Sequence, residues 1–189
     1  MQKRLFIVHG WGGSAKEPLI AWLGEQGTKL GFETTVLEMP HPDVPTIDSW
    51  VKYLDEVVMY PDENTCFVGH SIGFQAIIRY LQSADSPQTG SVLGIAPWFT
   101  LTGINSPDNK DIARPWLDNP IDFAKLKRIV PSFTAIFSDN DKFVPFKENE
   151  ELFKKNLNAK IIVEHEKGHF TEKDGVIDLP VALEELSKM

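Results

Sequence analysis

The chain has 189 residues, a formal charge of −8 and a pI near 5.1, and its length is sufficient for a hydrophobic core without disulfide support. An acidic balance disfavours nucleic acid as a partner, because binding to phosphates needs a clustered basic surface. The apolar stretch near the N-terminus is too short for a membrane span or a signal-peptide core, and the single cysteine cannot form an internal disulfide. We therefore expect one cytoplasmic domain over residues 1–189, with no membrane association.

Short apolar runs alternate with stretches of helical periodicity along the whole chain, which is the pattern of parallel strands joined by crossover helices. The expected architecture is a three-layer α/β/α fold with a mostly parallel six-stranded sheet. Residues 97–131 are rich in proline and aromatic residues, and we expect a compact excursion or small lid with short helices there. The predicted strands cover residues 4–9, 34–38, 65–68, 91–96, 133–137 and 160–164. The predicted helices cover residues 16–30, 47–60 after a Thr46 cap, 74–81, a segment beyond Pro145 and a last segment that opens near Pro180.

A serine occupies the turn between the third predicted strand and the helix that follows it. Gly69-His70-Ser71-Ile72-Gly73 matches the G-x-S-x-G nucleophile elbow, in which a tight backbone presents the serine at the carboxyl end of a strand. Glycines two residues before and two residues after the serine suit this turn, because strand and helix approach too closely there for a side chain. A motif this short is weak on its own, so its catalytic partners must be found elsewhere in the chain.

A serine hydroxyl needs a general base, and that base needs a carboxylate that fixes its tautomer. His169, in the loop after the sixth strand, is the predicted base. The loop after the fifth strand offers two carboxylates, of which Asp141 is the predicted acid and Asp139 the alternative. Serine, then aspartate, then histidine is the chain order of α/β-hydrolases. His70, at the variable position of the elbow, is expected to face away from its neighbour.

Two backbone N–H groups are expected to stabilise the oxyanion of a tetrahedral intermediate. One belongs to Ile72, directly after the serine, and the other to Trp11 or Gly12 in the glycine loop, which we expect His9 to organise. Aromatic residues in the surrounding loops favour an apolar or aromatic acyl or leaving group. The predicted substrate-binding residues are Trp98, Phe99, Trp116, Phe143 and Phe170. The sequence has no metal-ligand spacing, and we expect neither a metal nor a cofactor.

Four segments together carry a resemblance to a known family: His9-Gly10-Trp11-Gly12-Gly13-Ser14, Gly69-His70-Ser71-Ile72-Gly73, Asp141-Lys142-Phe143-Val144-Pro145 and Gly168-His169-Phe170. The chain resembles, nearly end to end, the small serine hydrolases of the retinoblastoma-binding protein nine type. The resemblance implies a reduced α/β-hydrolase fold without the first two strands or a large cap, with strand order 2-1-3-4-5-6. It also implies that Ser71, Asp141 and His169 match the nucleophile, acid and base, and that the substrate is a small ester or amide. The sequence departs at Ser138, where larger hydrolases commonly have glycine.

Two other function classes are open at this point. Gly10-x-Gly12-x-x-Ala15 lies between a strand and a helix, and Glu38 ends the second strand, which is the arrangement of a dinucleotide-binding fingerprint. A non-catalytic module that binds a protein through the aromatic excursion is the other alternative. The dinucleotide interpretation leaves Ser71, Asp141 and His169 without a role. We therefore predict a serine hydrolase that forms an acyl-enzyme intermediate on a small ester or amide.

Overall fold

Six strands form one sheet in the computed structural model, which describes residues 2–85 and 88–189. In chain order the strands are β1 (Arg4–Val8), β2 (Glu33–Leu37), β3 (Thr65–His70), β4 (Val92–Ile95), β5 (Phe133–Ser138) and β6 (Lys160–Glu164). They lie in the order β2-β1-β3-β4-β5-β6, and every neighbouring pair is parallel. The predicted α/β architecture is confirmed, and so is the strand order that the resemblance implies. Because all strands are parallel, their carboxyl ends share one edge, where the loops that follow them converge.

Helices cover the sheet in two layers. Among the described residues they are α1 (Pro18–Lys29), α2 (Ile47–Val58), α3 (Ile72–Ser83), α4 (Pro107–Asp118), α5 (Phe123–Ile129), α6 (Phe146–Leu157) and α7 (Pro180–Leu186). Helix α1 packs against α7, whereas α2, α3, α5 and α6 contact one another in a row. In the part of the chain that the structure describes, no helix is both long enough and apolar enough to cross a membrane.

The sheet is most deeply buried at β3 and at the helix that follows it. All six residues of β3 are buried, and residues 72–81 of α3 are buried as well. The apolar run before the elbow is therefore a central strand, covered on both faces. Because the elbow joins two buried elements, its backbone has little freedom to move.

Two boundaries differ from the predicted ones in ways that matter for the site. Strand β3 continues to His70, because its pairing with β4 extends to the register of His70 with Ile95, and α3 begins already at Ile72. Residues 97–131 contain α4 and α5. Helix α4 is longer than the short helices expected there, because it continues through Pro115 instead of ending before it. A proline removes one helical hydrogen bond, and on this largely exposed helix solvent can satisfy the carbonyl that is left.

Candidate active site

Ser71 lies alone between β3 and α3, in a backbone conformation that residues other than glycine seldom adopt. Its φ is 53° and its ψ is −120°, as in the strained turn of a nucleophile elbow. A Cβ at Gly69 would lie 2.5 Å from the backbone nitrogen of Phe74, and one at Gly73 would lie 2.5 Å from the carbonyl oxygen of Val8. Since both obstacles are backbone atoms of buried elements, both positions require glycine.

A line of hydrogen bonds joins Ser71, His169 and Asp141. Oγ of Ser71 lies 2.9 Å from Nε2 of His169, and Nδ1 of His169 lies 2.7 Å from Oδ2 of Asp141. Because a carboxylate can only accept, Nδ1 carries the imidazole proton, and Nε2 is left to accept from the serine hydroxyl. The Asp141 side chain is 1% exposed and that of His169 is 16% exposed. The imidazole therefore connects a buried carboxylate to a serine that faces a cavity.

Asp139, the alternative acid, makes different contacts. Its Oδ2 lies 2.6 Å from Nδ1 of His165, and its Oδ1 accepts from the N–H of Glu166 at 3.0 Å. The N–H of Glu166, with the imidazole of His165 as the next cause, holds the pKa of Asp139 below its ordinary value, and the Asp139 carboxylate raises the pKa of His165. The structure thus places Asp141, and not Asp139, against His169. Asp139 instead fastens the loop that follows β6.

The backbone of His169 is held on both sides by residues that no sequence motif assigns to the site. Its N–H donates to Oδ2 of Asp174 at 2.9 Å, and its carbonyl oxygen lies 2.8 Å from Nε2 of His70. A carbonyl can only accept, so Nε2 of His70 is the donor. The flanking residues Gly168 and Phe170 both have positive φ, so the chain turns sharply on either side of the imidazole. These contacts fix the position of the ring relative to the elbow.

His70 lines the same cavity as Ser71, whereas we expected it to face away. Its ring centroid lies 5.1 Å from that of His169. Burial, with a smaller contribution from the nearby His169, lowers the pKa of His70 from its ordinary value of 6.5 to about 4. The ring is therefore neutral at neutral pH. The second position of the motif varies freely, so the sequence pattern carries no signal for this residue.

The glycine loop after β1 is fixed by two side chains. Nδ1 of His9 donates to the carbonyl of Gly10 at 2.8 Å, and its Nε2 accepts from the N–H of Met39 at 3.0 Å, so His9 organises the loop as predicted. Oε2 of Glu38 accepts from the N–H of Ala15 at 3.0 Å. The carboxylate that a dinucleotide fold would use for a ribose is thus bound to the loop itself, which counts against that alternative.

Two backbone N–H groups at this edge have no acceptor in residues 2–85 and 88–189. The N–H of Gly12 donates to the carbonyl of Pro42 at 2.8 Å, which removes one of the two glycine-loop candidates. Among the described residues, no acceptor lies in hydrogen-bond geometry for the N–H groups of Trp11 and Ile72. Both residues line the cavity together with Ser71. Of the backbone donors predicted for the oxyanion, Trp11 and Ile72 are therefore the two that remain.

A cavity of about 260 Å³ opens above Ser71, and most of its wall is apolar. Glu17 is the one carboxylate among its lining residues, which include no lysine or arginine. Burial raises the pKa of Glu17 above its ordinary value. A second cavity of about 260 Å³ adjoins the first and shares Trp11, Glu17, His70 and Thr171 with it. The apolar residues that line the first cavity are Trp11, Ile72, Trp98, Leu101, Ile104 and Phe143.

Of the five aromatic residues predicted to bind substrate, Trp98 and Phe143 line the cavity, whereas Phe99, Trp116 and Phe170 do not. Phe99 stacks on a core phenylalanine of α6 with ring centroids 4.3 Å apart. Trp116 packs edge-on against a core tryptophan of α2, and Phe170 is buried beside the second cavity. An irregular loop has no periodicity that separates residues facing the core from residues facing a cavity. The structure therefore does not bring these three residues to the cavity of Ser71.

Known proteins provide an independent comparison. The family model described as serine hydrolase matches residues 5–188. The chain is 27% identical over 188 residues to YdeN of Bacillus subtilis (strain 168), an alignment that covers 99% of this chain and 96% of YdeN. It is 28% identical over 162 residues to serine hydrolase RBBP9 of Rattus norvegicus, covering 86% of this chain and 78% of RBBP9.

Solved structures share the fold over nearly the whole chain. The crystal structure of the ydeN gene product of B. subtilis matches with a TM-score of 0.89 at 24% identity, covering 99% of this chain and 98% of that one. Est1E of Butyrivibrio proteoclasticus, solved with ferulic acid bound, matches with a TM-score of 0.75 at 15% identity, covering 98% and 87%. At such identities the likeness shows a common α/β-hydrolase fold. Because the family model matches almost every residue, the chain belongs to the serine hydrolase family.

Proposed function

We propose that this serine hydrolase cleaves a small ester or amide with Ser71 as the nucleophile, His169 as the general base and Asp141 as the residue that orients the base. The proposal rests on the continuous line of hydrogen bonds from Asp141 through His169 to the Oγ of Ser71, which lies at the floor of the cavity. Asp141 also accepts from the N–H of Phe143 at 2.8 Å and from that of Val144 at 3.2 Å. These two bonds fix the carboxylate, so that it can hold the imidazole in one tautomer.

In acylation, a bond from Ser71 to the substrate carbonyl carbon replaces the bond to the leaving group, and one proton passes through His169. Oγ of Ser71 bonds to the carbonyl carbon while its proton moves to Nε2 of His169, and the imidazolium then returns that proton to the leaving alcohol or amine as the bond to it breaks. Water repeats the same steps on the acyl-enzyme, with His169 taking its proton and Ser71 as the leaving group. The negative charge on the carbonyl oxygen is assigned to the N–H groups of Trp11 and Ile72, since neither donor has an acceptor in the described part of the chain.

The cavity favours a small, uncharged and partly apolar substrate. Its volume of about 260 Å³ lies below the usual range for drug-sized ligands, roughly 300–1,000 Å³. Leu101, Ile104, Asn105 and Asn109 contribute to its wall. All four belong to the 97–131 segment, which we assign as a small lid within a single domain that spans the chain. Glu17 would repel a carboxylate on the acyl chain, so esters and amides whose acyl chain carries a carboxylate are disfavoured.

A graded panel of p-nitrophenyl esters, run beside aminoacyl amides, tests this function. We expect turnover of short-chain esters with an initial burst of p-nitrophenol, because the acyl-enzyme forms before it is hydrolysed. Ser71→Ala and His169→Ala should each remove most of the rate. The matched control is His165→Ala, since His165 is also bound to an aspartate through Nδ1 but does not contact Ser71. Equal rates in wild type, Ser71→Ala and His169→Ala would exclude the proposed mechanism.

A further inference from the structure

The indole of Trp98 contacts the same oxygen atom that His169 contacts. Nε1 of Trp98 lies 3.3 Å from Oγ of Ser71, slightly longer than the usual N–H···O distance of roughly 2.7–3.2 Å. An indole N–H can donate but cannot accept, so Oγ accepts from Trp98. The hydroxyl proton of Ser71 is then directed away from Trp98 and toward Nε2 of His169, which lies 2.9 Å away.

This contact extends the line of hydrogen bonds and gives it one direction. The line begins at Trp98, whose indole can only donate, and ends at Asp141, whose carboxylate can only accept. Between them, Oγ of Ser71 accepts from the indole and donates its own proton, while His169 accepts at Nε2 and donates at Nδ1. Hydrogen bonds arranged in this way polarise one another in a site shielded from water. The indole therefore both orients the serine hydroxyl and strengthens its bond to the base.

The backbone around Trp98 is held by hydrogen bonds with side chains of α3 and α6. Trp98 is only 1% exposed, so its indole is buried. Ala96, two residues earlier, has a φ of 45°, which turns the chain sharply after β4. The amide of Gln75 in α3 donates to the Trp98 carbonyl, and Oδ1 of the buried Asn149 accepts from the N–H of Phe99 at 2.7 Å. The helix that carries the elbow thus also positions the indole.

We propose that Trp98 is a catalytic residue whose indole N–H stabilises charge on the Oγ of Ser71, an inference that rests on the proposed function. As the Oγ–carbon bond forms and the hydroxyl proton passes to Nε2 of His169, Oγ gains negative charge, and the indole N–H lies against it. When water later displaces the acyl group, Oγ leaves with the bonding electron pair and recovers its proton from His169. The same N–H stabilises the oxygen at that moment.

Trp98→Phe removes the donor, and Trp116→Phe is a matched control. Trp116 is also 1% exposed and its indole donates at 3.1 Å, but to the carbonyl of Pro45 and outside the cavity. For p-nitrophenyl acetate we expect Trp98→Phe to lower kcat by about five- to tenfold, the effect of one neutral hydrogen bond. We expect KM to change by less than about twofold, because the N–H contacts the nucleophile and not the substrate. Trp116→Phe should leave both constants within about twofold of wild type.

Replacement of Trp98 by β-(3-benzothienyl)alanine separates the hydrogen bond from the shape of the ring, since sulfur replaces N–H in a ring system of nearly equal size. We expect the same loss of kcat, and the same loss in the second-order rate of labelling by a fluorophosphonate. Wild-type rates in this isostere would overturn the proposal, and so would equal losses in the Trp98→Phe and Trp116→Phe variants. Ser71→Ala, run in parallel, separates the two claims. If it abolishes labelling while the isostere reacts normally, only the role of Trp98 is lost, whereas unchanged labelling of Ser71→Ala removes the proposed function itself.

Discussion

The buried histidine of the elbow should make this protein sensitive to mild acid. The pKa of His70 is about 4 in the folded protein, against an ordinary value of 6.5, because burial disfavours the charged ring. Above about pH 6.5 the ring is neutral in both states and contributes no pH dependence. Between about pH 6.5 and pH 4 the unfolded chain binds a proton that the folded protein does not, so stability falls as the pH falls. Below about pH 4 the loss is complete.

The size of this loss follows from the two pKa values. Their difference corresponds to about 3 kcal/mol in total, of which about 2.5 kcal/mol is reached by pH 4.5. Urea unfolding of wild type and His70→Gln at several pH values between 7.5 and 4.5 measures it. Glutamine retains an N–H that can donate to the carbonyl of His169 but does not titrate. We expect the variant to be less stable than wild type at pH 7.5, and the gap to shift in favour of the variant by about 2–3 kcal/mol at pH 4.5.

Other groups titrate over the same range, so the quantity of interest is the difference between the two proteins. His41→Gln, a change at an exposed histidine of the proline-rich loop, reports what replacement of a histidine does in general. If the difference in stability between wild type and His70→Gln stays constant from pH 7.5 to pH 4.5, the buried ring accepts a proton as readily as the unfolded chain does, and its pKa is not lowered.

Three further substitutions test separate parts of the site. Asp141→Asn should lower kcat for a p-nitrophenyl ester by about 10⁴-fold through the wrong imidazole tautomer, and Asp139→Asn by less than about tenfold; the opposite ranking would move the acid to Asp139. Gly73→Ala should lower the free energy of unfolding in urea by more than about 3 kcal/mol, because its Cβ would lie 2.5 Å from the carbonyl oxygen of Val8, and near-native stability would show that the elbow can relax. Glu17→Gln should raise kcat/KM about fivefold for an ester with a terminal carboxylate but not for its neutral analogue. The magnitude follows because two like charges about 8 Å apart repel by about 1 kcal/mol at an effective dielectric of about 40. Equal effects on both esters would place Glu17 away from the acyl chain.

The order of the elements could be predicted from the sequence because short apolar runs alternate with stretches of helical periodicity, the pattern of parallel strands joined by crossover helices. The strand over residues 160–164 has the predicted boundaries, and Thr46 caps α2 by accepting from the N–H of Ser49. The end of β3 could not be predicted, because whether His70 belongs to the strand depends on its pairing with β4. The continuation of α4 through Pro115 could not be predicted either, since a proline is tolerated in a helix on the surface but not in a buried one.

Motif spacing indicated which residues meet at the edge of the sheet, but not how their side chains point. Asp139 and Asp141 are two residues apart in one loop, and only the return of the chain after β6 determines which of them faces His169. The indole of Trp98 was expected to face a substrate, and its bond to Ser71 depends on an atom from a different loop. Contacts of this kind arise from tertiary packing, for which a single sequence has no periodic signal.

Whether Ser71 is an activated nucleophile is decided by intact-mass analysis after treatment with a fluorophosphonate, followed by peptide mapping. We expect one adduct per chain, located on Ser71, with labelling lost in Ser71→Ala and strongly slowed in His169→Ala but retained in His165→Ala. An adduct on any other residue, or equal labelling of wild type and Ser71→Ala, would mean that Ser71 is not the nucleophile.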